Sequence, residues 1–209
     1  MLHSGSAVPD AFARGAPPGE FARVNIEGTE SLARAALRAG VRRWVQVSST
    51  GAMGTPHQAT VDETTVCRPV SPYQVSKHGS EQVLLRLQRE EGLEVAIVRP
   101  CLVAGQGKRG GELLKLFQLC TRGVFPVIGR RLNVEKPLVA VDDVVQGLLL
   151  AATRGPSGGI YLVHSGGEHT LGEILEEAGL LVGKRRPYVS IPLPIAWAGA
   201  QFGSWGSRL

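Results

Sequence analysis

Apolar residues recur along this chain with two different periods. The runs Val41-Arg42-Arg43-Trp44-Val45-Gln46-Val47 and Glu94-Val95-Ala96-Ile97-Val98-Arg99 are short and dense in apolar residues. That is the pattern of strands buried on both faces of a parallel sheet. Between them the period becomes helical. Ser71 can cap a helix, Pro72 suits its first position, and Gln74 stands three residues after Ser71, as in a capping box. This helix runs through Val75, Val83, Leu84 and Leu87 and stops at Gly92. An earlier helix is predicted from about Glu20 to Arg38, with Leu32, Ala35 and Ala36 as its apolar stripe and Gly40 beyond its end. Residues 7 to 20 and 51 to 70 read as loops.

Further along, Gly110 to Thr121 reads as a helix with Leu113, Leu114 and Phe117 inward, and Phe125 to Gly129 as an irregular apolar segment. Leu138 to Val141 is a short strand, and Asp142-Asp143 open a helix to Ala152, where acidic residues complement the helix dipole. Gly159 to Val163 is another strand. Thr170-Leu171-Gly172-Glu173 is a capping box that opens a helix. The tail from Ile191, with Trp197, Phe202 and Trp205, starts a final helix of a small lobe. Strands alternating with helices predict an α/β fold, a doubly wound parallel sheet.

Composition narrows the function classes. The 209 residues are 43% hydrophobic and 20% charged, an ordinary globular profile. The formal net charge is +5, but Arg42-Arg43, Lys108-Arg109, Arg130-Arg131 and Lys184-Arg185-Arg186 are scattered, with no continuous basic run and no interleaved aromatics. Nucleic acid is not an expected partner. Cys67, Cys101 and Cys120 have no metal-ligand spacing, so no metal is expected. No apolar run is long enough to span a membrane, and Met1 to Gly5 lack the apolar core of a signal peptide, so a cytoplasmic location is expected.

Chemistry concentrates at the start of the Ser71 helix. Tyr73 and Lys77 are at i and i+4 and share one helix face. A free tyrosine, with a pKa near ~10, is a poor base at neutral pH. A neighbouring ammonium favours the phenolate and is expected to lower that pKa, making Tyr73 able to exchange a proton with a substrate hydroxyl. The same spacing also fits an ordinary amphipathic helix surface. Ser48 and Ser49 lie where the first strand ends, which is where open α/β sheets bind ligands. They could equally satisfy backbone groups at the strand end.

Together these segments resemble the short-chain dehydrogenase/reductase superfamily, and more closely its extended branch, the NAD-dependent epimerase/dehydratase family. The matching residues are Asn25-Ile26-Glu27-Gly28-Thr29, Val47-Ser48-Ser49 with Gly54, Tyr73-x-x-x-Lys77, Arg99-Pro100-Cys101-Leu102-Val103-Ala104-Gly105 and Val139-Ala140-Val141-Asp142-Asp143-Val144. The resemblance covers residues 1 to 182 and implies a Rossmann-like NAD(P)-binding domain. Residues 183 to 209 would begin a C-terminal substrate lobe. Met1 to Ser6 resemble the end of the family's fourth strand, so the chain is expected to start inside the domain, without the first strands and the glycine-rich turn.

The resemblance implies hydride transfer between a carbinol carbon and NAD or NADP. Tyr73, Lys77 and Ser49 would be catalytic. His3, Ser48, Tyr73, Lys77, Pro100 and Val103 would contact the cofactor, and Asn25 and Thr29 would help position the site. Gly105-x-Gly107-x-x-Gly110 is read as a substrate-side loop rather than the pyrophosphate fingerprint. Ser49, Lys108 and Arg109 would then face substrate. The expected substrate is a nucleotide-linked sugar, with a hydroxysteroid or other small apolar alcohol as the alternative. Met53 and Ala104 stand where many sugar-nucleotide relatives have tyrosine. Sugar-nucleotide dehydratases carry an Asp-Glu pair where this chain has Thr50-Gly51, so elimination of water is not expected. A non-catalytic subunit on the same fold is the reading from another class. A homodimer is an open option.

Overall fold

The computed structural model describes residues 1–3, 19–55, 60–105, 112–129, 132–167, 169–195 and 197. They form two compact units, one of Met1–Gly105 with Leu138–Ser165, the other of Gln106–Pro137 with Gly166–Leu209.

The first unit is built on four parallel strands in the order β1 (Leu2–His3), β2 (Arg43–Val47), β3 (Glu94–Pro100) and β7 (Gly159–Val163). The intervening helices are α1 (Gly28–Arg38), α2 (Pro72–Glu91) and α4 (Val141–Thr153). Strands β4 (Leu102–Ala104) and β6 (Leu138–Ala140) form a separate parallel pair. The parallel α/β architecture expected from the sequence is present. Its physical basis is the pleat, which sends successive side chains to opposite faces. Trp44, Val95 and Ile97 pack on one face with Ala33 and Ala36 of α1 and Leu84 and Leu87 of α2. Val45, Ala96 and Val98 pack on the other with Ala151 of α4. A side chain such as Leu84 or Leu87, wholly removed from water, contributes roughly 1.5–3 kcal/mol.

The inward stripe of α1 differs from the expected one. Thr29, Ala33 and Ala36 are buried, whereas Leu32 is 37% exposed and Ala35 faces out. Small residues fill the inward face because the preceding segment lies very close to α2. A Cβ at Gly79 would come within 2.6 Å of Ile26 Cδ1. That preceding segment, Ala22–Glu27, is a π-helical turn, a rare wide turn that is frequent at functional sites.

The second unit holds α3 (Glu112–Arg122), β5 (Phe125–Ile128), α5 (Leu171–Leu181) and β8 (Tyr188–Ile191). Phe125–Ile128, expected to be irregular, is a strand because Tyr188–Ile191 pairs with it in parallel. On α3, Leu113 is buried and Phe117 lies at the rim, but Leu116 and Cys120, rather than Leu114, complete the inward face. The Thr170/Glu173 capping box forms as expected. Trp197 is exposed; Phe202 and Trp205 lie outside the described residues. Among the described residues, no helix is long and apolar enough to cross a membrane, and no cluster of His, Cys, Asp and Glu could hold a metal ion.

Gly54 fixes the loop that leaves the site. Its φ of 74° and ψ of −139° belong to a region open almost only to glycine. A Cβ there would lie 1.9 Å from the Arg68 carbonyl oxygen. Gly54→Ala should therefore cost more than about 2 kcal/mol, since backbone strain alone accounts for roughly 1–3 kcal/mol. Urea unfolding followed by circular dichroism measures this, and an unchanged midpoint would contradict the placement of this loop.

Candidate active site

Helix α2 carries the site. Ser71 Oγ accepts the Gln74 backbone N–H at 3.3 Å, and Gln74 Oε1 accepts the Ser71 N–H at 3.1 Å, which completes the predicted capping box. Gly92, at φ 74°, ends the helix in the left-handed conformation. These two stops fix the helix register and so the positions of Tyr73 and Lys77.

Strand β2 ends at Val47, and Ser49, in extended backbone, caps the short turn Thr50–Met53. Ser49 Oγ accepts the Gly51 N–H at 3.0 Å. It is also the hydrogen-bonding neighbour of the Tyr73 side chain. Gly51 lies against both: a Cβ there would be 3.2 Å from Ser49 Oγ and 3.6 Å from Tyr73 Cε1. The Phe21 ring meets the Tyr73 ring edge-on at 5.7 Å. Burial pushes the Tyr73 hydroxyl above its ordinary pKa, and the Ser49 hydrogen bond opposes this only in part. The sequence argument expected Lys77 to pull Tyr73 down. In the fold the net direction is upward, because burial dominates; the Lys77 ammonium is directed to the end of β2, where Nζ donates to the Val47 carbonyl at 3.0 Å.

Lys77 itself is 3% exposed. Burial lowers its pKa to about 8, and the carboxylate of Glu81, one turn along the helix, opposes that fall. The two serines part company. Ser49 faces Tyr73, while Ser48 is buried and donates its hydroxyl to Glu81 Oε1. Glu81 also accepts from Arg99 twice, at 2.9 Å through Nε and 2.6 Å through Nη2. Burial alone would raise the Glu81 carboxyl; His78, Arg99 and Ser48 outweigh it and hold it below the usual carboxylate range. His78 Nδ1 stands 3.7 Å from Glu81 Oε2, and Cys67 Sγ accepts from Arg99 Nη2 at 3.4 Å.

Sequence reasoning passed over Glu81 and gave Arg99, one of the residues that carry the resemblance, no role. Its available signals were an arginine ending an otherwise apolar strand and a glutamate four residues after Lys77. It named Asn25, whose Nδ2 donates to Ser76 Oγ at 2.9 Å, and Ser76 Oγ donates to the Tyr73 carbonyl at 2.8 Å. The π-helical turn is thereby tied to the residue preceding Lys77. Thr29 is buried one helical turn beyond Asn25.

His3 ends β1 beside β2, with its ring 5.1 Å from that of Trp44. Burial and the Lys77 charge lower its pKa. Pro100 is buried at the end of β3 opposite Val163, and Val103 pairs with Val139. His3, Ser49 and Pro100 thus mark the carboxyl ends of three adjacent parallel strands, the crevice side of such a sheet. Lys108 and Arg109, and the loop Gln106 to Gly110, lie outside the described residues.

The family model described as NAD dependent epimerase/dehydratase matches residues 2–163. This chain belongs to that family. Two curated relatives are a dTDP-glucose 4,6-dehydratase of Streptomyces griseus and the sterol demethylase protein B of Methylococcus capsulatus. The first is 33% identical over 76% of this chain and 50% of its own length. The second is 35% identical over 83% of this chain and 52% of its own length. The chain therefore spans about half the length of the curated relatives it matches. A solved dTDP-glucose 4,6-dehydratase of Streptomyces venezuelae, with NAD and DAU bound, superposes with a TM-score of 0.78 at 30% identity, covering 91% of this chain and 60% of that one. The RMD structure of Pseudomonas aeruginosa, complexed with NADPH, gives a TM-score of 0.78 at 24% identity over 92% of this chain and 68% of that one, and supports the Rossmann-like fold. The members of that family are, by its description, NAD dependent epimerases or dehydratases.

Proposed function

We propose that this chain is the catalytic part of an NAD(P)-dependent oxidoreductase or epimerase acting on a secondary alcohol or ketone, that of a nucleotide-linked sugar. One observation supports it most: Tyr73 and Ser49 lie side by side at a strand end, one helical turn from a buried lysine. The donor set fits the nicotinamide end of a dinucleotide, since a buried ammonium and a phenol suit ribose hydroxyls and a substrate oxygen. Lys77, Tyr73, His3, Pro100 and Val103 would hold it. When bound, the cofactor supplies or accepts the hydride.

The residues of the chain handle the proton. Ser49 Oγ hydrogen-bonds the substrate oxygen and steadies the charge that develops there. Tyr73, protonated at neutral pH as any phenol is and held more firmly so by burial, gives its proton to that oxygen when a carbonyl is reduced. In the oxidative direction it takes the proton back. Lys77 keeps a positive charge beside the strand end and engages the ribose. Thr50-Gly51 offers no acid/base pair next to Ser49, which supports oxidation–reduction or epimerisation over elimination of water.

A second reading is a hydroxysteroid-type dehydrogenase. The 35% identity to the sterol demethylase protein B over 83% of this chain supports it. Titration with NADH and NADPH, followed by turnover assays with nucleotide sugars and with hydroxysteroids, tests both. Cofactor binding with turnover of a nucleotide sugar is expected. Turnover of the steroid alone replaces the substrate class, and absence of cofactor binding removes the oxidoreductase reading.

A further inference from the structure

Basic residues that lie far apart in the sequence come together at one end of the second unit. Helix α3 ends at Arg122, and Gly123-Val124 lead into β5; helix α5 ends at Leu181, and Val182 to Pro187 lead into β8. The two turns are neighbours. The Phe125 N–H donates to the Pro187 carbonyl at 3.2 Å, and a Cβ at Gly123 would lie 3.3 Å from Lys184 Nζ. Arg122, Lys184, Arg185 and Arg186 are all exposed. Among the described residues, no ion pair holds any of them. The same end carries bare apolar side chains: Leu180 is 76% exposed, Leu181 78% and Val124 47%. This helix end is well formed. The Val182 N–H donates to the Ala178 carbonyl at 3.2 Å and the Lys184 N–H to the Gly179 carbonyl at 2.8 Å. Gly183, at φ 68°, closes the turn. A Cβ at Gly179 would lie 2.5 Å from the Lys184 carbonyl oxygen, so the turn is pressed onto the helix.

We propose that this end of the second unit docks on an anionic lipid surface. Leu180 and Leu181 enter the headgroup boundary, and Arg122, Lys184, Arg185 and Arg186 meet the phosphates. Exposed leucines beside a cluster of cations match both layers of such a surface, the apolar boundary and the negative charge above it. The other occupants fit less well. A second copy would set four cations against four, and like charges across an interface are costly. Nucleic acid would take the cations and leave the leucines in water. The acidic residues nearest in sequence, Glu176 and Glu177, stand behind the leucines by about one helical turn, ~5 Å. The helix therefore docks by its end, with these glutamates on the water side. Docking of this kind requires nothing of the chemistry at Tyr73.

Sedimentation of the full chain with lipid vesicles tests this. Phosphatidylcholine vesicles containing about a third phosphatidylserine should bind the chain. Pure phosphatidylcholine vesicles should bind it at least about tenfold less, since each cation near an anionic surface adds about fivefold. Binding should weaken several-fold as salt rises from about 0.1 to about 0.5 M. Equal binding to both kinds of vesicle, or to neither, overturns the proposal on the unaltered chain. Arg185→Glu with Arg186→Glu should weaken binding by more than about tenfold. Leu180→Ser with Leu181→Ser should weaken it by about tenfold, with the far-ultraviolet circular dichroism unchanged. Arg38 and Arg42 are exposed cations of the first unit. Arg38→Glu with Arg42→Glu alters the net charge equally and should leave binding within about twofold. Equal losses in the two charge pairs would show attraction by net charge alone and overturn the proposal. Leucine variants that bind as well as the unaltered chain would assign the cations to a polyanion such as nucleic acid. A concentration-dependent dimer lost in the leucine variant would assign the face to a second copy. Either result also overturns it.

Discussion

Tyr73→Phe should lower turnover by roughly two to four orders of magnitude, the usual contribution of a positioned proton donor, and weaken cofactor binding far less, since the ring and the other cofactor-facing residues remain. The substitution removes one oxygen and keeps the ring. The edge-on contact with Phe21 therefore survives, and so does the helix, whose cap depends on Ser71 and Gln74. What disappears is the hydroxyl beside Ser49. Single-turnover reduction of a ketone, with cofactor affinity measured separately by fluorescence, separates the two effects. The unaltered chain adds a pH signature. Tyr73 stays protonated well above neutrality because burial raises it, so the first group of the pair to titrate is Lys77, at about 8. Reduction should thus hold steady through neutral pH and fall as pH rises through about 8. A Phe variant that keeps more than about a tenth of the rate would show that another group, or water, delivers the proton.

The parts of this site that were legible in the sequence are those set by local rules. A capping box and a glycine stop fixed the register of the Tyr73 helix, and a nearly unbroken apolar run marked β3 as a strand covered on both faces. What escaped reading depends on distant partners. Phe125–Ile128 becomes a strand only because Tyr188–Ile191 lies beside it. The inward face of α1 was misplaced because hydrophobicity favoured Leu32, whereas close approach of the neighbouring segments favours alanine at 33 and 36. The sequence offered both serines to the ligand, Ser49 to substrate and Ser48 to cofactor, yet adjacent residues of extended backbone point to opposite sides. One thus reaches Tyr73 and the other Glu81. The direction of the Tyr73 shift was missed for a related reason. Spacing places Lys77 on the same helix face, but the carbonyl of Val47 decides where its ammonium goes.

Breaking the pair beneath the site should give the largest loss of stability. Arg99→Met leaves a carboxylate that is wholly buried, with Ser48 and His78 still against it and the Lys77 ammonium one helical turn away. Removing one partner of a buried pair costs about 3–5 kcal/mol. Replacing both, as in Glu81→Met with Arg99→Met, should cost less, because neither member of the pair is then left charged without its partner and similar apolar volume fills the space. The natural pair is itself imperfect, since Arg99 Nη1 is buried without a hydrogen-bond partner among the described residues, and this favours the double variant further. The pH dependence of the single variant follows from Glu81. In the natural chain its folded pKa lies below the unfolded value, so its contribution is present above the unfolded pKa and is lost as pH falls through the folded one. Without Arg99 the uncompensated burial should raise the folded pKa above the unfolded one. The variant's deficit should then be greatest near neutral pH and shrink as acid protonates the carboxyl. Urea unfolding of the natural chain, the two single variants and the double variant at pH 7 and pH 5 tests each step. If the double variant loses as much as Arg99→Met, the cost lies in packing, and Glu81 and Arg99 are not coupled as charges.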